Sequence, residues 1–292
     1  MNALILWLSR RKHFTAVITL GYIIVNILCH DVTQALYKKA EKLLSLEIMN
    51  AVVIIVCLII LGGFSWAAIK QNKSGTHRAL KLTYGIFTAV LIMASSNTLI
   101  AKNVELIHFP QYALLVIPVF ALTMRFGETV AFVTLLGAAD EAYQYLVLHR
   151  SWVGIYDFND VILNLIGAGA GIVLILVLAD LEPSSNPGST YSLRDLVRSV
   201  GLMTTGILIL SGLLMYATGL LQLFPGDNAP HALILLNRGV PPSGFWQQPL
   251  PSLKRFHILH PGEGILLVAV LTTVYVWLDF RIEFKKRNDE TA

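Results

Sequence analysis

Residues 160–179 read D-V-I-L-N-L-I-G-A-G-A-G-I-V-L-I-L-V-L-A. This is the length a helix needs to cross a hydrocarbon layer of about 30 Å. After Asp160 it holds no charge, and Asn164 is its last strongly polar group. In lipid the backbone has no water to bond, so such a run has to be helical. Barrel strands are about half as long and alternate apolar with polar residues, which this run does not.

The same pattern recurs along the chain. Eight apolar runs stand at 14–30, 48–69, 80–101, 108–124, 127–148, 160–179, 200–221 and 263–281, the fourth interrupted by Pro110 and Pro118. The 292 residues are 55% hydrophobic and 14% charged, against about 25% charged in soluble domains. The expected class is all-α: a polytopic membrane bundle of about eight transmembrane helices. Three parts are expected: 1–101 with the first three helices, 102–180 as a core of helices four to six, and 181–292 with a final pair. Residues 31–47 are amphipathic, with Val32, Leu36, Leu43 and Leu46 suited to lie on a membrane surface. Residues 222–261 form a long loop whose aromatic and apolar content suits a packed cover.

The net charge of +4 raises the question of nucleic acid. Its distribution points to topology instead. With the N-terminus in the cytoplasm, fourteen of the 22 basic residues fall in inner segments and eight in outer ones. Both termini are then cytoplasmic, 222–261 is outside, and no nucleic-acid partner is expected. The first helix lacks a cleavage site after Leu28 and reads as retained. Cys29 and Cys57 give neither a disulfide framework nor metal spacing.

Against this background the polar groups of 105–171 stand out. Ionisable side chains at membrane depth usually face a bundle interior or a cavity. Glu105, His108 and Tyr112 lie at the start of the fourth helix. Asp140, Glu141 and Gln144 lie near the end of the fifth, with Arg150 after it. Asp157, Asp160 and Asn164 open the sixth. All fall at the outer end. Residues three and four apart share a helix face. Gly137, Asp140, Glu141 and Gln144 therefore form one stripe, and Asp160, Asn164, Gly167 and Gly171 another.

Five carboxylates in a confined space cannot all stay charged, so at least one holds a proton near neutral pH. A carboxylate and a histidine can then divide acid and base roles. His108, Asp140 and Glu141 are the catalytic candidates. Glu105, Tyr112, Gln144, Arg150, Asp157, Asp160 and Asn164 are the substrate-binding candidates. The planar guanidinium of Arg150 suits a phosphate, and the carboxylates suit a divalent cation equally well. Plainer roles exist. Asp157 or Asp160 could cap the sixth helix, Arg150 could neutralise Asp140 or Glu141, and Tyr145 and Trp152 fit interface aromatics. His257, His260 and Glu263 offer a second polar set. Pro261 makes an ordinary helix start the simpler reading there.

Three ordered motifs resemble the VanZ-like family of bacterial membrane proteins. They are His108-Phe109 with Tyr112, then Asp140-Glu141 and Gln144 before Arg150, then Asp160, Asn164, Gly167 and Gly171. The chain departs by carrying Gln111 where many relatives have Glu, and by a longer stretch from Arg150 to Asp160 that adds Asp157. The resemblance implies a wider group of membrane proteins proposed to act on lipid head groups. The leading expectation is thus an enzyme of the bacterial plasma membrane, acting at the outer leaflet on a phospholipid or lipid-linked envelope precursor. The alternative is a non-catalytic protein that binds lipid, a lipophilic antibiotic or a protein partner.

Overall fold

The computed structural model describes residues 1–71, 78–148, 154–179, 181–183, 199–224, 232–238, 244–248 and 254–284. Helices dominate. They are α1 (Asn2–Arg10), α2 (Lys12–Gln71), α3 (Arg78–Thr98), α4 (His108–Thr123), α5 (Phe126–Tyr143), α6 (Phe158–Leu178), α7 (Val200–Ala217) and α8 (Pro261–Asp279). A 3₁₀ turn at Asn103–Ile107 leads into α4, and a π turn at Gln144–Leu148 closes α5. Strands are minor. Leu181–Pro183 (β1) pairs antiparallel with Ile282–Phe284 (β4), and Leu221–Gln222 (β2) pairs parallel with Ile234–Leu235 (β3).

Among the described residues, five helical stretches are long and apolar enough to cross a bilayer: Arg78–Thr98, Asn103–Thr123, Phe158–Leu178, Val200–Ala217 and Pro261–Asp279. The membrane class is therefore clear, while the exact count of eight is not confirmed. Two reasons are visible in the sequence. Helix α5 carries Glu128, Asp140 and Glu141, so its charge sets it apart. The first two expected spans fall in the single helical run α2, 60 residues long. Residues 31–47 contain neither Gly nor Pro, so nothing in them interrupts the backbone ladder.

Early in that run Asn26 meets the start of α4, through the Gln111 Nε2–H···Oδ1 Asn26 bond of 2.8 Å. Helix α3 starts at the other end of the bundle, because Tyr84 donates to the Val274 carbonyl late in α8. Val32, Leu36 and Leu43 of α2 are exposed.

Helix α6 is the axis of the bundle. Most of its side chains are buried, and its small residues are contact points. A Cβ on Gly167 would sit 2.7 Å from the His108 carbonyl oxygen, and one on Gly171 would sit 2.6 Å from that of Ala113. Glycine at both places lets the backbones of α4 and α6 meet. On another face, a Cβ on Gly169 would collide with the Tyr275 hydroxyl of α8. Tyr275 is fully buried and shares a hydrogen bond with Thr88 of α3. Helix α8 thus belongs to the same core as α3 to α6, through Leu271, Tyr275 and Leu278. Its Asp279 accepts from the backbone N–H groups of Phe126 and Gly127, at 2.6 and 2.9 Å. There a carboxylate meets the positive end of α5. Helix α7 leans on α5 with Gly201 against Phe132 and exposes most of its apolar surface.

The two ends of the bundle differ. Residues 99–107, 144–148, 154–157 and the described parts of 222–261 lie together at one end. Tyr156 N–H donates to the Leu236 carbonyl, Arg238 N–H to that of Gly154, and His257 N–H to that of Thr98. The described parts of the long loop therefore bond to the end where the polar residues gather.

Gly167→Ala is the sharpest test of the seam. The added methyl meets backbone, which has no rotamer to yield, so overpacking should cost about 1–3 kcal/mol. Thermal unfolding of the purified protein in detergent should show a clear loss for Gly167→Ala and little change for Gly85→Ala, which meets nothing within 4 Å. Equal melting of the two variants would remove the seam from the account.

Candidate functional site

The α4–α6 seam sets the first pair of polar groups. Asn164 lies one helical turn before Gly167, so its side chain reaches the first turn of α4. Its Oδ1 stands 2.8 Å from His108 Nδ1. An amide oxygen only accepts, so Nδ1 carries the proton. In the neutral ring that leaves the lone pair on Nε2. This nitrogen faces Asp160 Oδ1 at 3.6 Å. His108 and Asp160 keep modest exposure, 12% and 20% of their side-chain surface. The imidazole is thus oriented by one neighbour and directed at an acid by its free edge, an arrangement suited to proton transfer.

Helix α5 completes the wall. Gly137 makes room for Asn164: a Cβ there would come within 2.7 Å of Nδ2. The stripe of Asp140, Glu141 and Gln144 is buried. Tyr112 of α4 stands at the outer limit of hydrogen bonding to Asp140, with its hydroxyl 3.5 Å from Oδ2. Its ring stacks at 6.4 Å on that of His108. Glu141 turns the other way and accepts the backbone N–H of Asp157 at 3.1 Å. Asp160 is the acid whose carboxylate faces the His108 ring, at 3.6 Å.

The other expected residues sort by position. Glu105 accepts from the N–H groups of Ala101 and Lys102, at 2.9 and 3.2 Å, closing the turn before α4. Asp157 caps α6 by accepting the Asn159 N–H at 2.9 Å, and it lies near Asp160 and Glu105. Arg150 lies outside the described residues, as does Trp152. The described cation held over α5's closing turn is Arg238. Its guanidinium lies 4.1 Å from the Tyr145 ring centre and donates to the Tyr145 carbonyl at 3.2 Å. No local pattern marks Arg238 in the sequence; only the folding of the long loop brings it here.

Asn159 was equally silent. It is buried beside Asp160 and makes three bonds. Its Nδ2 donates to the carbonyls of Leu99 and His257, at 3.0 and 2.7 Å, and its Oδ1 accepts from Leu259 N–H at 2.9 Å. The second polar set attaches here. Glu263 accepts from His260 N–H at 2.8 Å and lies 3.1 Å from His257 Nε2. His257 Nδ1 stands 2.9 Å from the Phe245 carbonyl, and the two rings stack at 4.1 Å. This is the helix start expected from Pro261. Among the described residues, no three His, Cys, Asp or Glu side chains are grouped so as to hold a metal ion.

A narrow groove with room for about one water molecule lies beside the acid–histidine group, lined by Tyr22, Ile23, Asn26, Ile27, Gln111, Tyr112, Leu115, Leu136 and Asp140.

Comparison with known protein families gives a match. Residues 47–179 fit the model of the VanZ/LLP1 family, a span containing the three motifs and extending back over α3 into α2. No curated protein and no solved structure matches the chain.

The acid cluster predicts a pH response. Burial raises the pKa of Asp157, and the nearby charges of Asp160 and Glu105 raise it further. The folded protein then binds this proton more tightly than the unfolded chain, whose Asp titrates near ~3.9. Stability falls as pH rises from there through the raised folded value. Asp157→Asn keeps a capping oxygen and does not titrate. The melting temperature of the wild type should therefore fall relative to Asp157→Asn as pH rises through that window. A constant gap would show that Asp157 titrates alike in both states.

Proposed function

We propose, from the fit of residues 47–179 to the VanZ/LLP1 family model, that this membrane protein acts on the head group of a lipid. The substrate class is a phospholipid or lipid-linked envelope precursor, taken from the outer leaflet of a bacterial plasma membrane. One observation carries the reading. His108 is fixed by Asn164 at Nδ1 and directed at Asp160 by Nε2, at the end of a bundle whose sides face lipid.

The chemistry follows from that geometry. His108 Nε2 is placed to take a proton from an attacking hydroxyl or to return one to a leaving group. Asp160 stabilises the imidazolium that forms and shares its proton. Tyr112 and Asp140 sit one turn further into the membrane and offer hydrogen bonds to head-group hydroxyls or phosphate oxygens. Arg150 is assigned the phosphate, with Arg238 a second cation at this end. Glu105, Glu141 and Asn159 hold backbone and frame the site.

A second reading has its own support. Glu105, Glu141, Asp157 and Asn159 all bond to main-chain groups. A set of polar residues spent on backbone also suits a non-catalytic protein that binds lipid, a lipophilic antibiotic or an envelope-assembly partner.

The purified full chain, reconstituted in vesicles of total bacterial lipid, provides the test. Head-group release or exchange is followed by mass spectrometry. General acid–base groups contribute about 10²–10⁴-fold, so His108→Gln and Asp160→Asn should each lose turnover on that scale while lipid binding remains. Glu141→Gln should lose less, since its amide oxygen still accepts the Asp157 N–H. Full turnover in His108→Gln would end the proton-transfer role. No lipid chemistry by the wild type would leave the binding-protein reading in its place.

A further inference from the structure

We propose that Phe245, Trp246 and Arg255 form an interfacial anchor that sets the long loop on the head-group layer of the membrane. The two rings lie where hydrocarbon gives way to head groups, and the guanidinium meets lipid phosphate. The proposal stands apart from the catalytic reading, since it uses no member of the acid–histidine group.

Backbone bonds set the depth. His257 N–H donates at 2.6 Å to the carbonyl of Thr98, the last residue of α3, and Lys254 N–H donates to that of Ala101 at 3.3 Å. Pro261, where α8 begins, follows closely in the chain. Helices α3 and α8 are both apolar enough to cross a bilayer, so these two ends mark the edge of the hydrocarbon. Phe245 is held at that level. His257 Nδ1–H donates to the Phe245 carbonyl at 2.9 Å, and the two rings stack at 4.1 Å. Trp246 meets Phe245 edge-on at 5.0 Å, and Arg255 Cζ lies 5.8 Å from the centre of the Trp246 ring. Paired backbone bonds between Gln247 and Phe256 hold the two segments side by side. The polar layer on each face of the hydrocarbon is about 5–8 Å thick. The whole group fits within it.

Exposure sets the direction. Phe245 is 56% exposed and Trp246 42%, whereas His257 beneath them is buried. The rings point away from the bundle. Helix α3, to whose end they are tied, exposes Ile86, Val90 and Met93 and so stands at the lipid-facing edge. A tryptophan has an apolar body and one N–H, which suits the boundary between chains and head groups.

Charge selects the occupant. Residues 228–262 contain no Asp or Glu, while Arg238, Lys254 and Arg255 fall within them, and Lys254 and Arg255 are exposed. A second copy docked two-fold on this patch would set cation against cation. Lipid phosphates carry the complementary charge. The anchor is also joined to the site: the His257 carbonyl accepts from Asn159 Nδ2 at 2.7 Å, and Asn159 adjoins Asp160. Seating the loop on the head groups therefore holds the start of α6 at the same level.

Trp246 itself supplies the test. The full chain is reconstituted in vesicles of phosphatidylethanolamine and phosphatidylglycerol, with or without lipid brominated high on its acyl chains. Tryptophan emission is read for the wild type and for Trp246→Phe. The difference is the emission of Trp246, because the other tryptophans are common to both. Bromolipid should remove most of it. Arg255→Glu, read against its own Trp246→Phe counterpart, should recover much of that loss, and Arg255→Lys should behave like the wild type. Melting curves verify folding, and Trp246→Tyr serves if Trp246→Phe does not fold. Trp246 emission that survives bromolipid overturns the proposal. If aqueous iodide then quenches it, the rings lie in water; if iodide does not, a protein partner or second copy covers them. Equal bromolipid quenching in Arg255→Glu and the wild type overturns the role of the guanidinium.

Discussion

The close approach of α4 and α6 is the constraint on which the rest depends. Two backbones meet where Gly167 and Gly171 carry no Cβ. Only at that separation does the short Asn164 side chain reach His108. Water supplies no hydrophobic drive between helices in lipid, so small residues and interhelical hydrogen bonds carry the association. Here both occur on one stripe of one helix: Asp160 and Asn164 bond or face the histidine, and the next two turns supply the glycines. Packing and chemistry are set by the same four-residue spacing. A change made to improve one will disturb the other.

Much of this stripe was legible. Apolar runs of membrane length fixed the class, and the spacing of Asp160, Asn164, Gly167 and Gly171 fixed a face. The positions of Asp140, Glu141 and Gln144 on a buried face followed from the same periodicity. Pair choice was not legible. His108 and Asn164 are 56 residues apart, and nothing local says that Asp160, not Asp140 or Glu141, meets the imidazole. That depends on which helix comes within side-chain reach. Asn159 and Arg238 were hidden for a related reason. A lone amide beside a known acid and a lone arginine in a loop acquire meaning only when distant backbone arrives beside them.

The N-terminal part shows the opposite limit. Hydropathy divides residues 12–71 into two spans and a surface segment, whereas the backbone runs through as one helix. The two descriptions answer different questions. Hydropathy reports where lipid contact is favourable, and helix continuity reports where the ladder of hydrogen bonds is broken. With Ala, Leu, Lys and Glu throughout 31–47 and no proline or glycine, a change of environment need not end the helix.

Asn159 has a consequence for how the protein is made. Its three bonds reach the carbonyls of Leu99 and His257 and the N–H of Leu259, the last two lying 98 and 100 residues further along the chain. Synthesis proceeds from the N-terminus, so α6 is complete long before these partners exist. Until residues 257–259 emerge, the chain holds a polar amide with two of its three bonds unmade. The segment that fits the family model is therefore not bonded as a finished unit to which later helices are appended. A chain cut before residue 257 would carry every described residue of the acid–histidine group and still lack two of the partners of Asn159.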